Sequence, residues 1–471
     1  MIKTNSLVHN DFLLTDKLSK SLYHDFAKTL PIIDFHNHLN PSMIANDNQP
    51  ENLFTLWVMV DQYKHRAMRM NGVAENGITG NASDYGKYFN WAKTLPRTLG
   101  NPLYQWSYLE LQRVFDIQLE LDESSAREIW EECQDQINSG KLSTVMLLKK
   151  FNVEALCTSD DLLDDVSIHK KASEKGVKVL PSLRTDSILD QSDTFHSWCT
   201  VLEGLLQTKI KDLDSFEAAL GKRFDVFSDA GCKLVDQALD AGFEFNWVDK
   251  SKADTIFKQF LSGERLNDLE SVSLQSYLLV WIGRACAQRG LILQLHIGAQ
   301  RKTSSRLRQL LGNTGGFAAI GAPSNVATLV AILDTMDKNG QLPKTILYNL
   351  NPADNVAFAS LTGSFSEDGI VAKIQFGPAW WYNDHYEGII NQLKALASYG
   401  LLHNSIGMTT DSRSFLSMSR HEYFRRVFCQ FISGWVKKGL LPNDTTILKE
   451  LVQDVCYRNA KNWILKSTIK L

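Results

Sequence analysis

Two histidines one residue apart close a short apolar run, Leu30-Pro31-Ile32-Ile33-Asp34-Phe35-His36-Asn37-His38-Leu39. In an extended chain residues i and i+2 point to the same face, so both imidazoles can reach one metal ion from the end of a strand. The pair alone is a weak signal in a chain with eleven histidines, where a surface histidine beside a buried one would look the same. Its context is stronger. The run before it has the character of a buried strand, Asn40-Pro41 after it marks a loop, and polar residues recur at the ends of later strand candidates. These are Asp160-Asp161, Arg184 with Asp186, Asp236, His296, Trp380-Trp381 with Asn383-Asp384-His385, and Asp411 followed by Arg413. Each alone has a structural explanation, Asp160 or Asp186 as a helix N-cap and the tryptophans as packing. Taken together, His36, His38, His296 and Asp411 make a nitrogen and oxygen set suited to Zn²⁺ or a similar divalent ion. His296 is either a fourth ligand or a substrate contact. Lys233 would matter as a carbamylated bridge only to a second metal, whose ligand set is incomplete, so the expected site is mononuclear.

The elements that must position these residues alternate along the chain. Strand candidates are Pro31 to Phe35, Glu154 to Thr158, Val177 to Leu183, Cys232 to Val235, Leu291 to Ile297, Thr345 to Leu350, Val371 to Phe376 and Ser405 to Thr410, with helix-length segments between them. Strands rich in Val, Ile and Leu that alternate with helices imply a parallel sheet covered on both faces. Eight of them point to an α/β fold, a distorted (β/α)8 TIM barrel, which carries its chemistry at the C-terminal ends of its strands. No glycine-rich phosphate signature follows the first strand, which disfavours a nucleotide-binding fold. Residues 10–29 read as one amphipathic helix or two short ones. Residues 42–150 read as a long helical insertion rich in tryptophan (Trp57, Trp91, Trp106, Trp130), so a single domain is expected, with its barrel in 1–41 and 151–471.

The bulk numbers set limits. With 471 residues, 44% hydrophobic, 22% charged and a net charge of −3, the composition is that of an ordinary soluble domain with no electrostatic call for nucleic acid. Lys170-Lys171 and Arg425-Arg426 are short basic pairs expected on solvated helix faces, although an arginine of the second pair is available to an anionic substrate. The first twenty residues lack the apolar core of a secretory signal, and no apolar stretch approaches membrane-spanning length. Seven cysteines, scattered and without a Cys-x-x-Cys pair, fit reduced thiols in the cytoplasm.

Several longer motifs in order resemble the amidohydrolase superfamily and, within it, the uronate (glucuronate) isomerase family. The similarity spans essentially the whole chain. It rests on the segment Pro31 to Leu39, on Tyr63-Lys64-His65-Arg66-Ala67-Met68-Arg69, on Trp91 through Tyr104, on Gln294-Leu295-His296-Ile297-Gly298-Ala299 and on Leu350-Asn351-Pro352-Ala353-Asp354-Asn355. It continues in Phe376-Gly377-Pro378-Ala379-Trp380-Trp381-Tyr382-Asn383-Asp384-His385 and in Thr410-Asp411-Ser412-Arg413-Ser414-Phe415-Leu416. The resemblance implies an aldose–ketose isomerase of open-chain hexuronates, D-glucuronate to D-fructuronate and D-galacturonate to D-tagaturonate, by proton transfer from C2 to C1 through a cis-enediol. It implies Asp411 as metal ligand and as either the base or an aid to ring opening, and Tyr63 beside Arg413 as a second candidate proton carrier, its pKa lowered by that cation. Arg184 and Arg413, with Arg301 behind them, are implied as the grip on the carboxylate, Trp381 as an apolar wall and Asp236 as a hydroxyl contact. A homo-oligomer is expected.

Two positions depart from the family pattern. Gln62 and Gln237 stand where the family usually has histidine, and glutamine cannot carry a proton near neutral pH. His65, at a place usually aromatic, would compensate for Gln62 if the segment is helical. Two other readings remain open at this stage: a metal-dependent hydrolase of a sugar-acid lactone or amide, and an inactive sugar-acid-binding paralogue.

Overall fold

In the computed structural model, which describes residues 7–312 and 315–466, the apolar runs form a parallel sheet curled into a distorted barrel. Its strands are β1 (Ile32–Asn37), β2 (Val153–Asp161), β3 (Lys178–Arg184), β4 (Leu234–Asp240), β5 (Ile292–Gln300), β6 (Ala319–Ile320), β7 (Thr345–Asn349) and β8 (Ile374–Phe376). The order is β1-β2-β3-β4-β5-β7-β8, all parallel, and the two-residue β6 pairs antiparallel with β5. Every residue of β1 and β7 is buried, as expected of parallel strands covered on both faces, and in β1 that burial takes in the polar side chains of Asp34, His36 and Asn37. β2, β4 and β5 run several residues past their apolar cores, so their ladders carry polar residues out to the rim.

Two strand candidates are altered by backbone conformation. Val371 to Phe376 shortens to β8 because Ala372 has a positive φ of 46°. Residues 405–410 form no ladder: Gly407 (φ 77°) and Asp411 (φ 47°) interrupt the extended run, and a side chain at Gly407 would meet the Val455 carbonyl at 2.2 Å. The segment still closes the barrel against β1. The Asp411 N–H donates to the His36 carbonyl at 3.0 Å and the His38 N–H to the Ser412 carbonyl at 2.9 Å.

The lower half of the barrel is filled by Ile33, Phe35, Cys157, Leu234, Ile292 and Ile346. Trp463 and Ile464 close its floor, and the Trp463 indole donates to the carbonyls of Val371 and Ala372, both at 3.1 Å. Between β1 and β2 lie seven α-helices, from Pro41–Ala45 to Thr144–Lys150. Trp57 and Trp91 are fully buried among them, with Lys64 held between Asp61 (2.5 Å) and Glu110 (3.2 Å).

Lys170 and Lys171 are exposed, but the expectation for Arg425-Arg426 is overturned. Both arginines are buried on the helix Ser419–Lys437. Arg425 donates to the carbonyls of Leu30 and Pro31, and Arg426 to those of Asn10 and Phe12 and to Glu422. They tie the N-terminal segment to the barrel and do not face the site. No helix among the described residues is long and apolar enough to cross a membrane.

Candidate active site

A bulge in β1 aims the two histidines. Ile33 and Phe35 face the inner cluster, and strict alternation would turn Asn37 inward next. Between the pairs Asp34–Leu156 and Asn37–Thr158 the register slips by one residue, and His36 and His38 face the cavity instead. The helix Gln62–Met70 brings Tyr63 and Gln62 over the barrel mouth. Its N-cap is Asp61, whose carboxylate accepts the N–H groups of Tyr63 and Lys64.

At the C-terminal ends of the strands lies a cavity of about 320 Å³. It is lined by His36, His38, Gln62, Tyr63, Arg184, Asp236, His296, Arg301, Trp381, Asp411 and Arg413. The Asp411 carboxylate is its centre. Oδ1 lies 3.0 Å from His38 Nε2 and 3.4 Å from His36 Nε2, while Oδ2 accepts the Trp380 indole N–H at 2.7 Å. Arg184 Nη2 lies 3.1 Å from His38 Nδ1. His296 stacks on Tyr348 with centroids 4.3 Å apart and lies 4.5 Å from the His36 ring. Arg301 pairs with Asp240. Asp411 and Trp381 (φ 52°) both hold left-handed backbone conformations, of the kind that concentrates at functional sites.

Burial and neighbouring charge set the protonation states. Burial pushes the Tyr63 phenol well above its ordinary value, and the opposing cation is first of all Arg420. The lowering expected from Arg413 is therefore overturned: desolvation of the phenolate outweighs it. Burial holds His38 down to about 4 and His296 well below its ordinary value, so both are neutral imidazoles with a lone pair to give. Asp236 is raised by burial despite Arg184. Burial opposes charge on Arg184 too, but Asp236, Asp186 and Asp411 outweigh it.

The donors fit a divalent cation. Ligand atoms of His36, His38 and Asp411 lie within 4.8 Å of one another, as do those of His36, Asp236 and His296. His36 Nδ1, His296 Nε2 and Asp236 Oδ1 are buried without a hydrogen-bond partner, which is costly unless something else engages them. His296 thus groups with Asp236 and not with the His38–Asp411 pair. Lys233 precedes β4 and lies at the opposite end of the strand from the cavity, so it is no bridging ligand here.

A sequence profile of the glucuronate isomerase family matches residues 4–464. The chain belongs to this family. It is 43% identical to the uronate isomerase of Caldanaerobacter subterraneus subsp. tengcongensis, over 96% of this chain and 98% of that one. It is also 43% identical to that of Bacillus licheniformis, over 97% of each. The crystal structure of uronate isomerase from Thermotoga maritima superposes with a TM-score of 0.91 at 32% identity, covering 97% of this chain and 99% of that one. A metal-dependent hydrolase from Lactobacillus casei shares the fold alone, with a TM-score of 0.53 and 14% identity.

Within this isomerase family the two glutamines differ in consequence. Gln62 lines the cavity. Gln237 turns away from it, accepting the Thr185 hydroxyl and donating to Asp186 Oδ1 at 3.1 Å. His65 is helical and does not line the cavity; it lines an adjoining groove that shares Gln62 and Arg413 with it. Other strand-end residues prove structural: Asp160 bonds Thr158, His385 caps the helix Tyr386–Tyr399, and Asp384 pairs with buried Arg420 at 2.6 Å. The partnership of Trp380 with Asp411 was not anticipated, because an indole N–H near a carboxylate has no sequence signature beyond the adjacency of two strand ends. Arg66 was missed as well. It lines the cavity and donates to the carbonyls of Gly316 and Ala318.

Proposed function

We propose that this protein isomerises hexuronates between aldose and ketose forms, D-glucuronate to D-fructuronate and D-galacturonate to D-tagaturonate, in the cavity above β1. The observation that carries the reading is the convergence of Arg184, Arg413, Tyr63 and Asp411 on one hexose-sized space. Two lining arginines supply the bidentate grip that a C6 carboxylate needs, and Trp381 gives the carbon chain a flat side.

The isomerisation moves a proton from C2 to C1 and exchanges protons on O1 and O2. Asp411 is the carboxylate assigned to take the C2 proton and return it at C1. Tyr63 keeps its proton near neutral pH because burial disfavours the phenolate. It donates to O1 as the enediol forms and recovers a proton from O2 as the ketose forms. Asp236, with one unpartnered oxygen, holds a substrate hydroxyl. His36, His38 and Asp411 would hold one Zn²⁺, with His296 beside them, and the ion would polarise a substrate oxygen and favour the open-chain form. All seven cysteines are free, which supports a cytoplasmic setting, and a homo-oligomer is the assembly proposed.

The test gives zinc-loaded protein D-glucuronate and D-galacturonate separately, follows ketouronate through coupled NADH oxidation, and repeats the assay after chelation. Turnover above the enzyme-free background is expected with at least one epimer, with loss on chelation. Absence of turnover with either, at a loaded site, would overturn the assignment and turn attention to Gln62.

A further inference from the structure

The walls from β1 through β5 to β7 and β8 are held by main-chain ladders. The seam between β1 and residues 405–412 has main-chain bonds where Asp411 and Ser412 meet His36 and His38, and before them it is held by the side chain of Asp34. This carboxylate is fully buried and accepts five donors from three elements. Oδ1 takes the Thr410 N–H at 2.6 Å, the Thr409 hydroxyl at 3.0 Å and His421 Nε2 at 3.2 Å. Oδ2 takes the Thr410 hydroxyl at 2.7 Å and the Asn37 amide at 3.0 Å. Thr409 extends the clamp, since its hydroxyl also accepts the His36 N–H at 2.7 Å. Arg420 secures the other side of the segment through the Thr410 carbonyl.

Asp34 lies two residues before His36, and its donors Thr409 and Thr410 directly precede Asp411. We propose that Asp34 is a positioning residue for the cation site: it fixes the separation between the His36–His38 pair on β1 and Asp411 across the seam. The inference rests on the reading of His36, His38 and Asp411 as metal ligands. The left-handed backbone at Asp411 adds to the need. A residue in that conformation persists only where its surroundings over-determine it, and the clamp does so from the preceding residue. Partners that orient metal ligands from behind typically matter about 10- to 100-fold in metal affinity.

The experiment measures zinc affinity of the full-length protein by competition with a chromophoric chelator, with thermal melts in EDTA alongside. Asp34→Asn keeps the size but sets an amide donor against the donors of Thr410, Thr409 or Asn37. Zinc affinity is expected to fall about 10- to 100-fold. Thr410→Val removes one arm and is expected to weaken zinc several-fold, while Thr410→Ser, which keeps the hydroxyl, retains wild-type affinity. A merely structural clamp would lower the melting temperature and leave the zinc affinity of folded protein unchanged. If Asp34→Asn does not fold, the Thr410→Val and Thr410→Ser pair decides, and equal affinities in those two overturn the proposal. Wild-type zinc affinity in Asp34→Asn would overturn it as well. A wild-type chain that binds no zinc would instead overturn the metal reading on which it rests.

Discussion

Asp411 is engaged on every side. One oxygen faces two imidazoles and the other takes an indole proton, so its orientation is set before any substrate arrives. Replacing Trp380 by Phe keeps the ring that packs on His296 and removes only the donor. The expected result is a fall of about 10- to 100-fold in kcat, the size typical of partners that orient a ligand, with KM nearly unchanged because the N–H that is removed bonds Asp411. A change in KM alone would place Trp380 among the substrate contacts. The division of labour between the proton carriers is separable at the same scale. In Asp411→Asn, exchange of the C2 deuteron should fall by at least about 100-fold, the usual contribution of a positioned base. In Tyr63→Phe the exchange should be slowed less than net isomerisation, since a donor to O1 is needed to complete the transfer. Exchange at the wild-type rate in Asp411→Asn would remove that residue from the role.

Among the elements, the helix that delivers Gln62 and Tyr63 is anchored by an ion triad in the apolar layer over the barrel. Lys64 is 1% exposed and lies between Asp61 and Glu110, and Glu110 also accepts the Trp57 indole N–H at 2.6 Å. Breaking one partner of a buried pair leaves uncompensated charge, so Lys64→Met should cost about 3–5 kcal/mol. That would be read as a lower urea midpoint at unchanged slope. Adding Glu110→Gln, which keeps an acceptor for Trp57, should recover part of the loss. A loss below about 1 kcal/mol would show that Glu110, already raised by burial, simply takes up a proton. This layer also shows what the sequence could carry. The strand runs and the rim residues were legible because burial on both faces leaves an apolar signature, and because the chemistry sits where those runs end. Lys64, Arg425 and Arg426 were not, since a near carboxylate such as Asp61 or Glu422 also suits a solvated helix face, and the partners that accompany burial, Glu110 and main-chain carbonyls, lie far away in the chain. The bulge that turns His36 inward and the side-chain seam at Asp34 were equally silent. Both depend on register between segments more than a hundred residues apart, and composition does not record register.

At the scale of the molecule, the barrel separates its chemistry from its stability along one axis. His36, His38 and Asp411 lie at the upper rim, and the floor is a plug of Trp463 and Ile464 against Ile33, Leu234 and Ile346. Trp463 combines a large apolar body with an indole donor shared between two carbonyls just before β8. Trp463→Ala removes both and should cost about 3–5 kcal/mol, the usual range for a large aromatic taken from a core, read as a lower melting temperature. Trp463 and Ile464 are not part of the cavity lining, so kcat and KM of the folded fraction should stay within about twofold of wild type, as distant sites act additively. The alternative is specific. Packing in this inner cluster runs upward from Ile33 and Phe35 through Tyr348 to Trp380, and Tyr348 carries the His296 ring. If kcat falls together with the melting temperature at a temperature where the variant is fully folded, then the floor sets the height of that aromatic column, and stability and chemistry in this barrel are one packing problem.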